Sequence, residues 1–285
     1  MQPPFPCPTA TWHNDTYERI SPFRPELSAA GKTVVIVGAG SGIGRETALA
    51  FATAGAAHVA LLGRTESALK ETAAYISSAS KTSCSVHTAD VTKAESLQDA
   101  AAAVGKWHVL VLSSGHCPTP SAVSSSEVDV WWEGFETNVK GTLLAVKAFL
   151  PTVASSNAAI LGLTTDVSFM PTTHLPGLSS YISSKLAQAK VYEFLAAENP
   201  DIFVATIKPG MVETANFYRS GATPDKVPMD KVQLPAHFLV WMASPEAAFL
   251  RGRCTWANWD VEELMAQKAK ISEGVFMTAG FIGLP

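Results

Sequence analysis

The chain has 285 residues, 47% of them hydrophobic and 16% charged, with 21 Lys plus Arg against 25 Asp plus Glu for a formal charge of −4. This length buries a large core and suits one α/β domain, and without any basic run nucleic acid is not an expected partner. The cysteines Cys7, Cys84, Cys117 and Cys254 are scattered, with no Cys-x-x-Cys pair and no His cluster at metal spacing, so they read as reduced thiols of a cytoplasmic protein that binds no metal.

Three parts are expected along the chain: an arm over residues 1–30, a main domain over 31–262 and an extension over 263–285. The arm holds four prolines in its first eight residues, which forbids a helix there. It has neither the basic start nor the apolar core of a secretory leader, and no stretch of the chain is apolar for long enough to span a membrane. Trp12, Tyr17 and Phe23 imply that the arm lies against the domain or a partner subunit.

From Lys32 the pattern alternates. Thr33-Val34-Val35-Ile36-Val37 suits a strand buried on both faces, and it runs directly into Gly38-Ala39-Gly40-Ser41-Gly42-Ile43-Gly44. Ile43, Thr47, Phe51 and Ala54 then recur at helical spacing, with Gly55 as a C-terminal cap. Further strands are expected at 57–62, 83–89, 107–112, 158–163 and 202–207, and helices at 65–80, 94–104, 125–150 and 178–197. Repeated βα units of this kind make a Rossmann-like, doubly wound parallel sheet with helices on both faces. A strand entering a glycine-rich turn that opens a helix fits a dinucleotide: glycine permits the tight turn and lets the backbone approach a pyrophosphate at the helix N-terminus. Gly38, Gly40, Ser41, Gly42, Ile43 and Gly44 form that candidate turn, spaced Gly-x-x-x-Gly-x-Gly.

At the end of the second strand stands Gly63-Arg64-Thr65. An acidic residue here would hold a ribose 2′-hydroxyl, whereas Arg64 and Thr65 offer a guanidinium and a hydroxyl to a 2′-phosphate. NADP(H) is the expected cofactor. Further on, Tyr181 and Lys185 are four residues apart, one helical turn, and so share a face. Lowering a tyrosine from about 10 to near 7 takes about 4 kcal/mol, which one cation about 4 Å away supplies at an effective dielectric of about 20. Lys185 can therefore make Tyr181 a proton donor and acceptor.

The chain resembles the short-chain dehydrogenase/reductase family in its single-domain branch. The likeness rests on Gly38-x-x-x-Gly42-Ile43-Gly44, Asp90-Val91, Asn138-Val139-x-Gly141, Tyr181-x-x-x-Lys185 and Pro209-Gly210-x-Val212-x-Thr214 in that order. The opening Trp12-His13-Asn14-Asp15 and a closing segment through Trp256-Ala257-Asn258-Trp259-Asp260 look like those of filamentous-fungal members, many of which serve secondary metabolism.

The resemblance implies that Tyr181 protonates a substrate carbonyl, that Lys185 lowers its pKa and holds the nicotinamide ribose, and that Asn138 anchors a water relay behind the lysine. It further implies adenine contacts from Asp90 and Val91, and a cofactor turn at Ser114 and Gly115. Pro209, Gly210, Val212 and Thr214 belong to the nicotinamide and phosphate contacts. Leu112-Ser113-Ser114-Gly115 stands where the family has Asn-Asn-Ala-Gly, which keeps the turn but lacks the Asn that ties it to the sheet. The catalytic hydroxyl is Thr165 when counted from the fifth strand and Ser168 when counted back from Tyr181; Thr165 is preferred, because a strand end fixes geometry while a loop absorbs insertions.

Ligands bind above the C-terminal strand ends of such sheets, where His116, Trp131, Asp166, Phe169, Met170 and Phe217 fall as candidate substrate contacts, with His174 and Tyr218 nearby. Such a lining favours a bulky, largely apolar small molecule, and Asp166 adds a group for a basic one. The reaction expected is NADP(H)-dependent reduction of a carbonyl. An imine reductase, isomerase or cyclase using the same cleft is the alternative, and a cofactor-binding protein without turnover a third. The helices over 125–150 and 178–197 correspond to those through which family members pair, so a homodimer or homotetramer is expected.

Overall fold

Alternate residues of a strand face opposite sides, and the first strand, β1 (Thr33–Val37), divides the core on that basis. Val34 and Ile36 join one apolar cluster, Val35 and Val37 the other. The computed structural model describes residue 3 and residues 7–154, 157–165 and 170–280. With β2 (His58–Gly63), β3 (Ser83–Thr88), β4 (Val109–Leu112), β5 (Ala159–Leu163), β6 (Phe203–Lys208) and β7 (Cys254–Trp256), the sheet runs in the order β3-β2-β1-β4-β5-β6-β7, every pairing parallel. Among the described residues no helix is long and apolar enough to cross a membrane, and no group of three His, Cys, Asp or Glu could hold a metal.

Helices α1 (Gly42–Thr53), α2 (Glu66–Ala79) and, later in the chain, α8 (Gln233–Met242) cover the Val34 face; α3 (Ala94–Val104), α5 (Gly141–Phe149) and α6 (Ser179–Glu198) cover the other. α8 is apolar nearly all round, and Phe238, Leu239 and Met242 are fully buried. Each side chain so placed contributes about 1.5–3 kcal/mol.

α6 approaches the sheet unusually closely because β5 carries Gly162. A Cβ there would sit 2.2 Å from the ring of Tyr192 on α6, so glycine sets the depth at which this helix lies. The edge strand β7 is too short to show a pattern in the sequence; its Cys254 amide is covered by the Met277 carbonyl at 2.9 Å.

The single helix expected over 125–150 is three pieces. α4 (Val128–Phe135) leads into a π-helical turn, Glu136–Lys140, and then α5. A π turn holds one extra residue and widens the helix; here it directs Asn138 inward, where it is fully buried. Residues 125–127 are not helical, and Glu127 is extended at φ −69°, ψ 126°.

The arm packs into the same core as the domain. Ile20, Leu27 and Ala29 are buried in it, and Trp12 bridges Trp259. Arg24 pairs with Glu246 at 2.8 Å, and Glu246 also accepts from Trp241 Nε1 of α8 at 2.9 Å. Phe23 is instead 81% exposed. At the other end, α9 (Val261–Ala266) and α10 (Lys268–Ser272) bury Leu264 and Ile271 in this core as well.

Candidate active site

The turn after β1 is closed by backbone. A Cβ on Gly44 would lie 2.1 Å from the Gly38 carbonyl oxygen, and one on Gly38, at φ +97°, would lie 2.7 Å from the Ser114 amide. Only glycine fits there, and a glycine turn that opens α1 in this way fits a diphosphate. Ser41 sits exposed at the N-cap and Ile43 is half-buried. Opposite the turn, the Thr214 methyl lies 3.2 Å from where a Cβ on Gly42 would be, so the loop after β6 closes over the turn after β1. Thr214 Oγ1 also caps α7 (Ala215–Arg219), accepting from the Phe217 amide at 3.2 Å.

At the end of β4, where the Asn is lacking, a shorter side chain reaches the neighbouring strand. Ser113 Oγ donates to the Val37 carbonyl at 2.8 Å, beside the Ser113 and Ser114 amides at 2.9 and 3.0 Å.

The next residues are held by two carboxamides. Asn138 Oδ1 accepts from the His116 amide at 2.8 Å, and its Nδ2 donates to the His116 carbonyl at 2.9 Å and to Ser184 Oγ at 2.9 Å. Asn216 of α7 does the same one residue to either side, donating to the Gly115 carbonyl at 3.0 Å and accepting from the Cys117 amide at 3.3 Å.

Lys185 is reached from this turn: its Nζ lies 3.3 Å from the position of a Cβ on Gly115. The lysine is buried, and burial lowers its pKa to about 8. Nζ donates to the Leu163 carbonyl at the end of β5 at 2.9 Å and to Gln188 Oε1 at 3.0 Å. Gln188, itself 1% exposed, passes the chain on: Nε2 donates to Thr142 Oγ1 at 2.8 Å, which donates to the Asn138 carbonyl at 2.8 Å. Two of the three ammonium donors are thus fixed from behind. Tyr181 stands one turn earlier on α6, half-buried, its carbonyl accepting from Ser184 Oγ at 2.8 Å. Thr165 is buried just beyond β5, next to Thr164, whose amide donates to the Ile207 carbonyl at 2.9 Å. Ser168, Asp166 and Phe169 lie outside the described residues.

Arg64 and Thr65 are exposed at the end of β2. Burial raises the pKa of Asp90, but the Thr92 amide and hydroxyl, then Arg64 and Lys93, bring it below the usual carboxylate range. Val91 packs on the start of α5, 3.0 Å from the position of a Cβ on Gly141. Pro209 and Gly210 follow β6 directly, and Val212 is buried.

The expected substrate contacts divide. His116 is tied to Glu133 at 3.0 Å and accepts from Arg219 at 3.2 Å, joining α4 to α7. Trp131 donates to Ser179 Oγ at 2.9 Å and stacks on Phe135. Phe217 is buried, whereas Met170 is 46% exposed; His174 is exposed, and Tyr218 bonds Glu213. A cavity of about 260 Å³ beside Ile182 and Ser183, walled by Ser121, Val123, Leu175 and Pro176, is lined by none of these candidates.

Gln188, Asn216 and Arg45 escaped sequence reasoning. Arg45 donates to the Gly40 carbonyl at 2.7 Å and pairs with Glu71 at 2.9 Å. Its place one residue after the glycine turn was the available signal; a lone amide such as Gln188 offers none.

Known proteins resemble this chain over most of its length. Residues 32–224 match the family model described as short chain dehydrogenase. A short chain dehydrogenase/reductase of Claviceps purpurea is 37% identical over 97% of this chain and 95% of its own. Another, AacuD of Aspergillus aculeatus, is 31% identical over 96% of each, and citE, a short chain dehydrogenase of Monascus ruber, is 32% identical over 93% and 94%. Among solved structures, a short chain dehydrogenase of Escherichia coli CFT073 complexed with NADPH superposes with a TM-score of 0.71 at 23% identity, covering 82% of this chain and 99% of that one.

Proposed function

The chain belongs to the short-chain dehydrogenase family, and from that premise we propose that it is an NADP(H)-dependent oxidoreductase. It moves a hydride between the nicotinamide and the carbonyl or secondary alcohol of a bulky, largely apolar metabolite, in a cytoplasmic step of fungal secondary metabolism. The observation that carries this reading is Lys185, a buried ammonium held by Leu163 and Gln188, one helical turn from Tyr181 and against the Gly115 turn.

The nicotinamide supplies the hydride when bound. The cradle of Gly38, Gly42 and Gly44 with Thr214 would hold its diphosphate, and Arg64 and Thr65 its 2′-phosphate. Tyr181 gives its proton to the substrate oxygen, toward which Thr165 or Ser168 donates a second hydrogen bond. Lys185 favours the phenolate left behind, and solvent reprotonates it. Exposed Trp132, Leu143, Leu186 and Phe194 on α4, α5 and α6 support pairing of copies through these helices.

The test is a panel of ketones assayed for NADPH consumption. Wild type turns over at least one bulky apolar ketone, and Tyr181→Phe loses about 10³-fold of that rate; product formed without net NADPH consumption ends the redox reading. For the cofactor, Arg64→Ala weakens NADPH about tenfold, as removal of one charge-assisted bond does, and leaves NADH unchanged. Equal effects on the two in a fluorescence titration would remove Arg64 from the 2′-phosphate site.

A further inference from the structure

The segments Trp12–Asp15 and Trp256–Asp260 have no part in the chemistry above, yet they meet in space. Trp12 and Trp259 form an antiparallel bridge. The His13 amide donates to the Asn258 carbonyl at 2.8 Å, and Asn258 Nδ2 donates back to the His13 carbonyl at 2.8 Å. Against this pairing lies Asp230, 9% exposed. Its Oδ1 accepts from Asn14 Nδ2 at 2.6 Å and from Asn258 Nδ2 at 3.0 Å; its Oδ2 accepts from the Met211 amide at 2.6 Å. The Asp230 amide donates in turn to the Met211 carbonyl at 2.8 Å, and the Lys231 amide to the Asn14 carbonyl at 2.8 Å.

One carboxylate therefore joins the arm, the C-terminal segment and the loop after β6. The fit is close: at Gly210, with φ +81°, a Cβ would lie 2.4 Å from Asp230 Oδ2 and 2.9 Å from Asn258 Oδ1. The loop Met211–Thr214 is pinned at Met211 by this network and at Thr214 by its cap on α7 and its contact with the Gly42 turn. Charge-assisted bonds to a buried carboxylate are short and directional, so removing the Asn14 donor lets the carboxylate, and the Met211 amide it holds, reorient. The arm has other anchors that do not touch this loop: Glu263 accepts from the Ala10 and Thr11 amides, and Arg24 pairs with Glu246.

We propose that the N-terminal arm is a working part of the cofactor site: Asn14, acting through Asp230, positions the Met211–Thr214 loop and thereby sets affinity for the diphosphate and nicotinamide portion of NADP(H). This rests on the cofactor reading above. Asn14, Asp230 and Asn258 are positioning residues, since none of them is placed against the reacting atoms.

The test uses the full chain with Asn14→Ala, Asn14→Ser and Glu263→Ala, titrated with NADPH and with 2′,5′-ADP, which lacks the nicotinamide, and followed by thermal melts. Asn14→Ala weakens NADPH about tenfold, the effect of about 1.4 kcal/mol, and leaves 2′,5′-ADP within about twofold; Asn14→Ser, which keeps a donor, recovers part of the affinity. Glu263→Ala lowers the melting temperature at least as far without altering NADPH affinity. Unchanged NADPH affinity in Asn14→Ala, equal weakening of both ligands, or the same weakening in Glu263→Ala overturns the inference while the cofactor reading stands. If the unaltered chain binds no NADPH, both fall.

Discussion

Helices α6 and α7 both reach the Gly115–Cys117 turn, but they are built differently. α6 has 20 residues, lies deep against Gly162, and holds Lys185 through buried partners that continue to Asn138. α7 has five residues and begins at a threonine cap; besides Asn216 and the buried Phe217 it is tied by exposed contacts of Tyr218 with Glu213 and Arg219 with His116. Buried, fully partnered polar groups fix a geometry, whereas exposed pairs are worth little and exchange easily with water. The geometry around Lys185 is therefore the more firmly fixed of the two.

Substitutions on the two helices should therefore differ in size and kind. Lys185→Met is expected to lower the single-turnover rate of ketone reduction roughly 10³-fold. A decrease of less than about tenfold would mean that α6 does not govern the proton.

Next comes pH. Because burial lowers Lys185 to about 8, the ammonium disappears as pH rises through that value, and reductive turnover falls with it. Gln188→Glu puts a carboxylate against Nζ, which raises the lysine pKa and moves the fall to higher pH. Gln188→Leu removes an acceptor of the charged form and moves it lower. Profiles of kcat/KM that coincide for all three chains would sever Gln188 from the lysine. Stability follows the same group. Between about 8 and 10.5 the unfolded chain holds the lysine proton that the folded one has released, so stability rises with pH across that window, and Lys185→Met flattens the rise in urea midpoints.

The smallest effect belongs to α7. Arg219→Ala should change kcat less than about threefold and act mainly on substrate KM, as removal of an exposed pair implies. A large fall in kcat would put α7 on a par with the geometry around Lys185.

Much of this division was legible in the sequence, for reasons that differ by element. β1 and β4 announce themselves because strands covered on both faces must be apolar throughout. The glycine turn is legible because Gly44 has no room for a Cβ, and the separation of Tyr181 from Lys185 is a helical period. The partners behind the lysine were not legible, since Gln188 and Thr142 meet across 46 residues of chain and a single amide leaves no spacing to recognise. The Asn14–Asp230 bond spans 216 residues and is equally silent. The break between α4 and α5 was missed because apolar periodicity continues through Glu136–Lys140 while the backbone widens.

That widened turn governs phase. A regular helix advances about 100° per residue, so the one extra residue at Glu136–Lys140 rotates the whole of α4 relative to α5. Deleting one residue there would splice the two into a single straight rod and swing Trp131 away from Ser179 and Gly134 away from Ser180, contacts that hold the start of α6. The asparagine that clamps the Gly115–Cys117 turn and the aromatic brace at the head of α6 thus share one mechanical setting, and the chain cannot change length at this point without undoing both.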